Sequence, residues 1–282
     1  MSFIKNVPMQ DLIAAPENPF KVTMDSEMER LIESIAESGI IAPPVVRPME
    51  NGKYEIVSGH RRKAACEYLG MKVVPCVVKE LDKNEALIFL VDSNLQRENI
   101  LPSEKAFAYK LKMDALNRQG KRSDLTFSQV GKKINSYEEA AKESGDSRNQ
   151  IHRYIRLTHL IPELLQMVDE KRIALTPAVE LSYLQPEEQK MLLSEIEYGD
   201  CTPSLSQAQR LKELSNNGAF TAEILSEIMS EEKANQKERI KIPVERLRKF
   251  FPRNYTTTQM EDEIVKLCEA QYRRRMRNRD AR

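Results

Sequence analysis

The chain has 282 residues, which is enough for two or three modest domains that each bury a core. Charged residues make up 31% of the sequence and the mean hydropathy is -0.55, which favours a helix-rich protein that folds in water. No apolar run approaches the roughly 18 residues that a membrane span needs, and the N-terminus lacks a signal-peptide pattern. We therefore expect a cytoplasmic protein with no membrane partner. Its four cysteines are far apart and lack metal-ligand spacing, so we expect reduced thiols.

The net charge of +1 conceals an uneven distribution along the chain. Residues 101–160 contain 12 Lys and Arg against 7 Asp and Glu, whereas residues 161–215 contain 5 against 10. The last ten residues are rich in arginine. Because local charge decides where a polyanion binds, the first segment and the C-terminal tail are candidate nucleic-acid surfaces.

Strand and helix signals alternate in the first hundred residues, which predicts a small mixed α/β domain. Residues 26–29 (Ser-Glu-Met-Glu) have the pattern of a helix-capping box, and Asn51-Gly52 predicts a hairpin turn. A helix is predicted over residues 61–69 and a strand over residues 73–78, where Pro75 indicates an edge position in the sheet.

From residue 83 the pattern turns helical, and a polar stretch near residue 216 indicates that a domain ends there. The sequence therefore predicts an α+β fold in several units. The expected units are residues 1–100, a small mixed α/β domain; 101–215, an all-α domain; 216–240, a linker; and 241–282, a small mainly helical unit.

Residues 137–156 predict a helix-turn-helix. A short helix over residues 138–144 ends at Gly145, and a capping box at residues 147–150 starts a second helix that has basic and amide side chains and no acid. Such a helix suits the major groove of DNA. An ordinary amphipathic helix with a solvated basic face is the alternative. The candidate DNA-binding residues are Ser147, Arg148, Asn149, Gln150, His152, Arg153 and Arg156.

A second candidate site lies at residues 58–63 (Ser-Gly-His-Arg-Arg-Lys), between a predicted strand and a predicted helix. Glycine permits a sharp turn, the helix N-terminus supplies unpaired backbone amides, and arginine supplies bidentate donors. This combination is typical of a site for a polyphosphate. A solvent-facing basic first turn is the alternative explanation.

Taken in order, these segments resemble the ParB/RepB/Spo-type family of partition proteins. Asn18-Pro19-Phe20 resembles the family's early Asn-Pro motif, residues 59–62 its Gly-Glu-Arg-Arg box, and residues 93–98 its Glu-Asn-x-Gln-Arg box. The helix-turn-helix follows at the expected place. The resemblance covers about residues 4–184.

Members of this family bind an inverted-repeat, centromere-like DNA site, and many use CTP to close as a sliding clamp. The resemblance thus implies CTP and Mg²⁺ as ligands, a ParA-type ATPase as partner, and a homodimer formed through residues 241–282. The residues implied to bind the nucleotide are Gly59, His60, Arg61, Arg62, Asn94 and Arg97. Tail residues implied to contact DNA without sequence specificity are Arg273, Arg274, Arg275 and Arg277.

Two positions depart from the family pattern. His60 replaces the usual glutamate, and Ser93 replaces an acidic residue that helps to hold magnesium, leaving Asn94 as the candidate ligand of Mg²⁺. We therefore expect nucleotide binding with, at most, slow CTP hydrolysis.

Other functions stay open from the sequence. The same modules serve a transcriptional or nucleoid-associated regulator that has no role in segregation. The small domain also resembles sulfiredoxin, but that chemistry needs a cysteine where His60 stands. A nuclease is disfavoured because the chain lacks a carboxylate cluster for two metals.

Overall fold

The computed structural model contains the expected mixed α/β domain followed by helices. The chain divides into two compact units, Met1–Glu231 and Glu232–Arg282, which we describe separately. The residues that the structure describes are 2–97, 100–123, 140, 145–231, 244–252 and 254–280.

A five-stranded sheet forms the N-terminal part of the first unit, in the order β1-β5-β3-β4-β2. The pairs β1–β5 and β3–β4 are antiparallel, and the pairs β5–β3 and β4–β2 are parallel. The strands are β1, Ser2–Pro8; β2, Leu12–Ala14; β3, Val45–Pro48; β4, Tyr54–Ser58; and β5, Val73–Lys79.

The predicted hairpin is the link between β3 and β4. Gly52 has a φ of 77°, a left-handed value that glycine adopts without strain, and Pro48 pairs with Tyr54 beyond the turn. Val46 and Ile56, which pair across the two strands, are fully buried in the core of this domain. The turn that the sequence predicts thus links two strands whose side chains lie in the centre of the core.

The expected edge position of β5 is wrong, because β1 covers its outer side. Pro75 lies opposite Asn6 in an antiparallel ladder. Only Val7 of β1 is buried, so this first strand lacks the alternation that would reveal it in the sequence. The sequence therefore did not predict β1, which is held by pairing with β5 rather than by burial.

After residue 83 the first unit is helical, as predicted. Two helices lie before residue 83, and both pack against the core of the sheet domain. The helices are α1, Ser26–Ser38; α2, His60–Tyr68; α3, Lys83–Leu95; α4, Pro102–Ser123; α5, Arg148–Leu157; α6, Pro162–Asp169; α7, Leu175–Leu181; α8, Pro186–Gly199; α9, Leu205–Asn216; and α10, Ala222–Ser230.

The N-terminus of α1 is capped one residue earlier than expected. Asp25, rather than Ser26, is the N-cap, and its carboxylate accepts a hydrogen bond from the Met28 backbone N–H at 2.8 Å. Both residue types are good caps, so the sequence pattern alone does not distinguish them.

The boundary of the helical region lies later than expected. The sequence suggested a linker from residue 216, but α10 follows and buries Leu225, Ile228 and Met229 in the same core as α6 to α9. The remainder of the expected linker, residues 232–240, lies outside the described residues. The first helix of the helix-turn-helix also lies outside them, except for Ala140, which is helical and fully buried.

The second unit contains two described helices, α11, Val244–Arg248, and α12, Thr257–Asp280. Met260 on α12 is 3% exposed, whereas Val265, Leu267 and Tyr272 on the same helix are between 56% and 64% exposed. Within the part of the chain that the structure describes, no helix combines the length and apolarity that a membrane crossing requires.

All four cysteines are free, and Cys66 and Cys76 are fully buried. Burial raises the pKa of both thiols, and that of Cys76 reaches about 11. These two residues therefore contribute to the core as protonated thiols.

The Leu225→Ala variant tests whether α10 belongs to the folded unit. Leu225 is 1% exposed, so its truncation should leave a cavity and lower the free energy of unfolding by about 2–5 kcal/mol in urea denaturation. Leu205→Ala is the matched control, because Leu205 is 40% exposed and its loss should cost less than about 1 kcal/mol. Equal, small effects of the two variants would show that α10 is not packed.

Candidate anion pocket and candidate nucleic-acid interface

The anion pocket is built on the turn between β4 and α2. Gly59 is the N-cap of α2 with a φ of 96°, in the left-handed region. A Cβ at this position would lie 2.9 Å from the Pro44 Cβ, closer than real contacts allow. Only glycine therefore fits, and the unpaired backbone amides of the first turn of α2 are held at the pocket.

A cavity of about 280 Å³ opens in front of this turn. Its walls come from the loop before α1, from the β4–α2 turn, and from the end of α3. The structure brings together in this one cavity every residue predicted to bind the nucleotide: Gly59, His60, Arg61, Arg62, Asn94 and Arg97.

The two arginines of the turn differ in their partners. Arg61 forms ion pairs with Asp25 at 2.6 Å and with Glu27 at 3.2 Å, at the N-terminus of α1. The Met28 backbone N–H lowers the pKa of Asp25 most, with Arg61 contributing, so Asp25 is ionised at neutral pH. Arg62 has no carboxylate partner among the described residues. Arg61 therefore joins α2 to α1, and the charge of Arg62 is available to an anion.

His60 occupies the first position of α2, where the family has glutamate. Its Nε2 atom is buried and has no hydrogen-bond partner among the described residues. Burial, and secondly the positive charge of Lys63, lower the pKa of His60 to about 4. The imidazole is therefore neutral at physiological pH, and His60 is a lining residue of the cavity.

The end of α3 supplies the opposite wall. The Asn94 side-chain NH₂ donates to the Leu90 carbonyl at 2.8 Å, and the Ser93 hydroxyl donates to the same carbonyl at 3.0 Å. Asp92 does not line the cavity, because its carboxylate accepts from Lys112 of α4 at 2.5 Å. Asp92 instead joins α3 to α4.

The fit of the cavity to Mg²⁺ is poor. Among the described residues, the lining includes no carboxylate, and no cluster of three His, Cys, Asp or Glu side chains occurs. Mg²⁺ is bound in proteins by carboxylates together with phosphate oxygens and water. Asn94, the predicted metal ligand, would be the main protein oxygen, assisted by the Ser93 hydroxyl.

The candidate recognition helix α5 begins as predicted. The Ser147 hydroxyl accepts a hydrogen bond from the Gln150 backbone N–H at 3.2 Å, which caps the helix. Ile151 is fully buried and packs in a small core with Tyr109 and Met113 of α4 and with Ala140.

A polar cluster fixes the start of α5 to α4. Asp146, immediately before the cap, accepts hydrogen bonds from the hydroxyl of Tyr109 and from the ammonium of Lys105, the latter at 3.2 Å. Tyr109 is fully buried, and its hydroxyl requires such a partner. The direction of α5 is therefore set by α4.

The predicted DNA-binding residues of α5 fall into two groups. Arg153 donates to the Thr176 hydroxyl at 2.7 Å, and Arg156 donates to the Ser182 carbonyl at 2.7 Å and stacks 3.9 Å from the Tyr183 ring centroid. These two half-buried arginines connect α5 to the α7 region. Gln150 is also half-buried, and the exposed members of the set are Ser147, Arg148, Asn149 and His152.

The predicted tail contacts are partly described. Arg273 and Arg274 are exposed on α12, and Arg273 lies 3.4 Å from Glu269, one turn earlier. The side chains of Arg275 and Arg277 lie outside the described residues.

The sequence did not predict three residues that contribute to these sites, Lys21, Asp146 and Thr176. Lys21 lines the anion cavity and follows the Asn18-Pro19-Phe20 motif directly, so its position was the available signal. Its backbone N–H donates to Glu104 of α4 at 2.9 Å. Thr176 and Asp146 gave no signal, because their roles depend on helices brought together only in the folded chain.

Comparison with known proteins places the chain in a family. Residues 1–95 match the ParB N-terminal domain and residues 126–202 match the ParB HTH domain. The chain is 34% identical over 211 residues to the chromosome-partitioning protein Spo0J of Thermus thermophilus, covering 74% of this chain and 70% of that protein. The chain belongs to the ParB family, and it is a ParB-like partition protein.

In two further relatives the alignment with this chain covers a smaller share of the protein. The probable chromosome-partitioning protein ParB of Vibrio cholerae is 30% identical, with 63% of this chain and 55% of that protein aligned. A nucleoid occlusion protein of Listeria monocytogenes is 31% identical, with 68% and 62% aligned. The chain therefore matches less than two thirds of the length of both proteins.

Solved structures of truncated ParB from Caulobacter crescentus also align with the chain. The complex with the centromeric parS site is 25% identical, with a TM-score of 0.45, and covers 74% of this chain and 98% of that one. The complex with CTP-gamma-S is 26% identical, with a TM-score of 0.32, and covers 69% and 99%. Both TM-scores are below 0.5, so the family assignment rests on the sequence matches and not on these structures.

The Gly59→Ala variant tests the tight turn of the pocket. The added Cβ combines backbone strain with a clash against Pro44, so the free energy of unfolding should fall by about 2 kcal/mol or more. Gly70→Ala is the matched control, since Gly70 has a φ of 69° but no atom within 4 Å of its Cβ position. Its cost should be about 1 kcal/mol, from strain alone. Chemical denaturation measures both, and equal losses would contradict the proposed close packing.

Proposed function

We propose that the chain binds CTP in the anion pocket and a specific DNA site through α5, and that it acts as a nucleotide-gated dimeric clamp in DNA segregation. The observation that carries the proposal is the convergence, in one cavity, of a glycine turn, a helix N-terminus and Arg62, which has no carboxylate partner among the residues that the structure describes. This combination suits the concentrated negative charge of a triphosphate.

Each pocket residue has a distinct part in this proposal. Gly59 allows backbone amides to approach the phosphates, while Arg62 and Arg97 supply charge. Arg61, held by the carboxylates of α1, positions the turn rather than adding free charge. Asn94 offers its side-chain oxygen from the opposite wall.

Nucleotide binding does not require hydrolysis. Because the lining that the structure describes has no carboxylate, these residues do not make a good Mg²⁺ site, and we propose no catalytic step. By analogy with the family, we expect at most a slow hydrolysis of CTP.

For DNA recognition we propose that α5 enters the major groove. Arg148, Asn149 and His152 are exposed on the helix and have the donors and acceptors that read base edges. Arg153 donates to α7 and Arg156 donates to Ser182, so the main contribution of both arginines is to the orientation of α5. The site is expected to be an inverted repeat, which requires a two-fold symmetric protein.

The second unit supports a homodimer in this proposal. Val265, Leu267 and Tyr272 expose apolar surface on α12, and a second copy of the chain would cover it. The arginine-rich end of this helix would add contacts with phosphates of any sequence. A ParA-type ATPase is the proposed partner, and the nucleoid or a plasmid in the cytoplasm is the proposed location.

A second function is favoured by one relative. The Listeria protein, 31% identical over 194 residues, is named a nucleoid occlusion protein. A nucleoid-associated regulator without a segregation role would use the same pocket and the same α5. The genomic neighbourhood separates the two, because an adjacent ParA-type ATPase gene favours partition and its absence favours regulation.

The Arg62→Ala variant tests the phosphate site. Loss of the unpaired guanidinium should abolish CTP binding measured by calorimetry, without lowering the melting temperature. Lys63→Ala removes the same charge one residue later, where Lys63 pairs with Glu67 outside the cavity lining, and should retain binding. Unchanged CTP affinity in Arg62→Ala would refute the assignment.

The Arg148→Ala variant tests the reading helix. A cognate duplex is first selected from a random library with the unaltered chain. Arg148→Ala should then weaken binding by about 1–3 kcal/mol if the residue reads a base. Lys190→Ala on α8, which removes an exposed charge elsewhere, should leave the affinity unchanged. Normal binding by Arg148→Ala and by an Asn149→Ala companion would exclude α5 as the recognition helix.

A further inference from the structure

His60 is a polar group of the anion pocket whose hydrogen bonding is incomplete. His60 lines the cavity, and its Nε2 atom is shielded from solvent and has no partner in the described part of the chain. A buried polar atom without a partner costs free energy, and native proteins rarely keep one without a reason. Because the residue itself lines the cavity, a ligand bound there can complete the hydrogen bonding of its imidazole.

The charges that surround His60 are mainly positive. Arg62 and Lys63 lie on its own helix, Lys21 comes from the loop before α1, and Arg97 follows α3. The acids that face this region, Asp25 and Glu27 at the N-terminus of α1, are paired with Arg61. The empty cavity therefore disfavours a proton on His60, and a bound polyanion would reverse that preference.

We propose that His60 is a proton-linked phosphate ligand, whose imidazole donates an N–H to a phosphate oxygen of bound CTP and takes up one proton as the nucleotide binds. This inference rests on the proposed nucleotide site. It assigns to the histidine a function that a glutamate at the same position would not have, because a carboxylate would repel the phosphates.

The direction of the pH dependence follows from linkage. Without nucleotide the pKa of His60 is about 4, so the imidazole is neutral at pH 6. Phosphate charge stabilises the imidazolium and raises this pKa in the complex. Because CTP binds the protonated form more tightly, its affinity should fall as pH rises, by up to about tenfold for each pH unit between the two pKa values.

Nitrogen NMR of the histidine side chains tests the proposal directly in the full-length chain. The chain has 3 histidines, His60, His152 and His159, so their imidazole signals are few. At pH 6 the His60 signal should be that of a neutral imidazole without CTP and that of an imidazolium at saturating CTP. Calorimetry in buffers of different ionisation enthalpy should show uptake approaching one proton for each CTP bound.

His60→Gln is the matched variant, because glutamine keeps an N–H donor but does not titrate. At pH 6 it should bind CTP with a smaller proton uptake than the unaltered chain, and the difference should approach one proton for each CTP bound. The titration of the nucleotide itself cancels in this comparison. Should this variant fail to fold, His152→Gln and His159→Gln identify the His60 signal by elimination. A His60 signal that stays neutral while CTP is bound overturns the inference alone. If CTP does not bind at any pH, the proposed nucleotide site itself is refuted.

Discussion

The ion pair between Lys112 and Asp92 is the constraint on which the arrangement of the first unit depends. Lys112 is fully buried on α4, and its ammonium is tolerated there because the Asp92 carboxylate lies 2.5 Å away. Asp92 is two residues from Asn94, which lines the anion pocket. Removing Asp92 would leave the Lys112 ammonium buried without its partner carboxylate, so this ion pair fixes the position of α3 relative to α4. The pocket wall is thereby attached to α4.

The same helix also determines the position of α5. Near its N-terminus, Lys105 and Tyr109 bind Asp146, the residue before the cap of α5, and Glu104 accepts from the backbone N–H of Lys21 in the pocket wall. One helix therefore contacts two of the three elements that form the walls of the anion pocket, the loop before α1 and helix α3, and also the start of the candidate recognition helix. A change at the pocket that moves α4 would be transmitted to α5 through these polar contacts, which gives a physical basis for the proposed gating of DNA binding by the nucleotide.

Much of this organisation was predictable because it depends on local chemistry. The Asn51-Gly52 hairpin, the Gly59 turn and the Ser147 cap are each encoded by a few adjacent residues, and the structure has all three. Long-range pairing was not predictable. The position of β5, the burial of α10 and the use of Arg156 by Ser182 each depend on segments distant in sequence. A basic residue on a recognition helix has the same sequence pattern whether it faces DNA or a neighbouring helix.

We propose that the anion pocket and α5 are coupled through α4. Calorimetric titration of CTP into the full chain, alone and saturated with a cognate DNA duplex, measures this coupling. Because coupling between two ligands is reciprocal, we expect the duplex to change the Kd of CTP, and CTP to change the Kd of the duplex, by the same factor. A CTP Kd that is the same with and without saturating duplex would show that the pocket and α5 are not coupled.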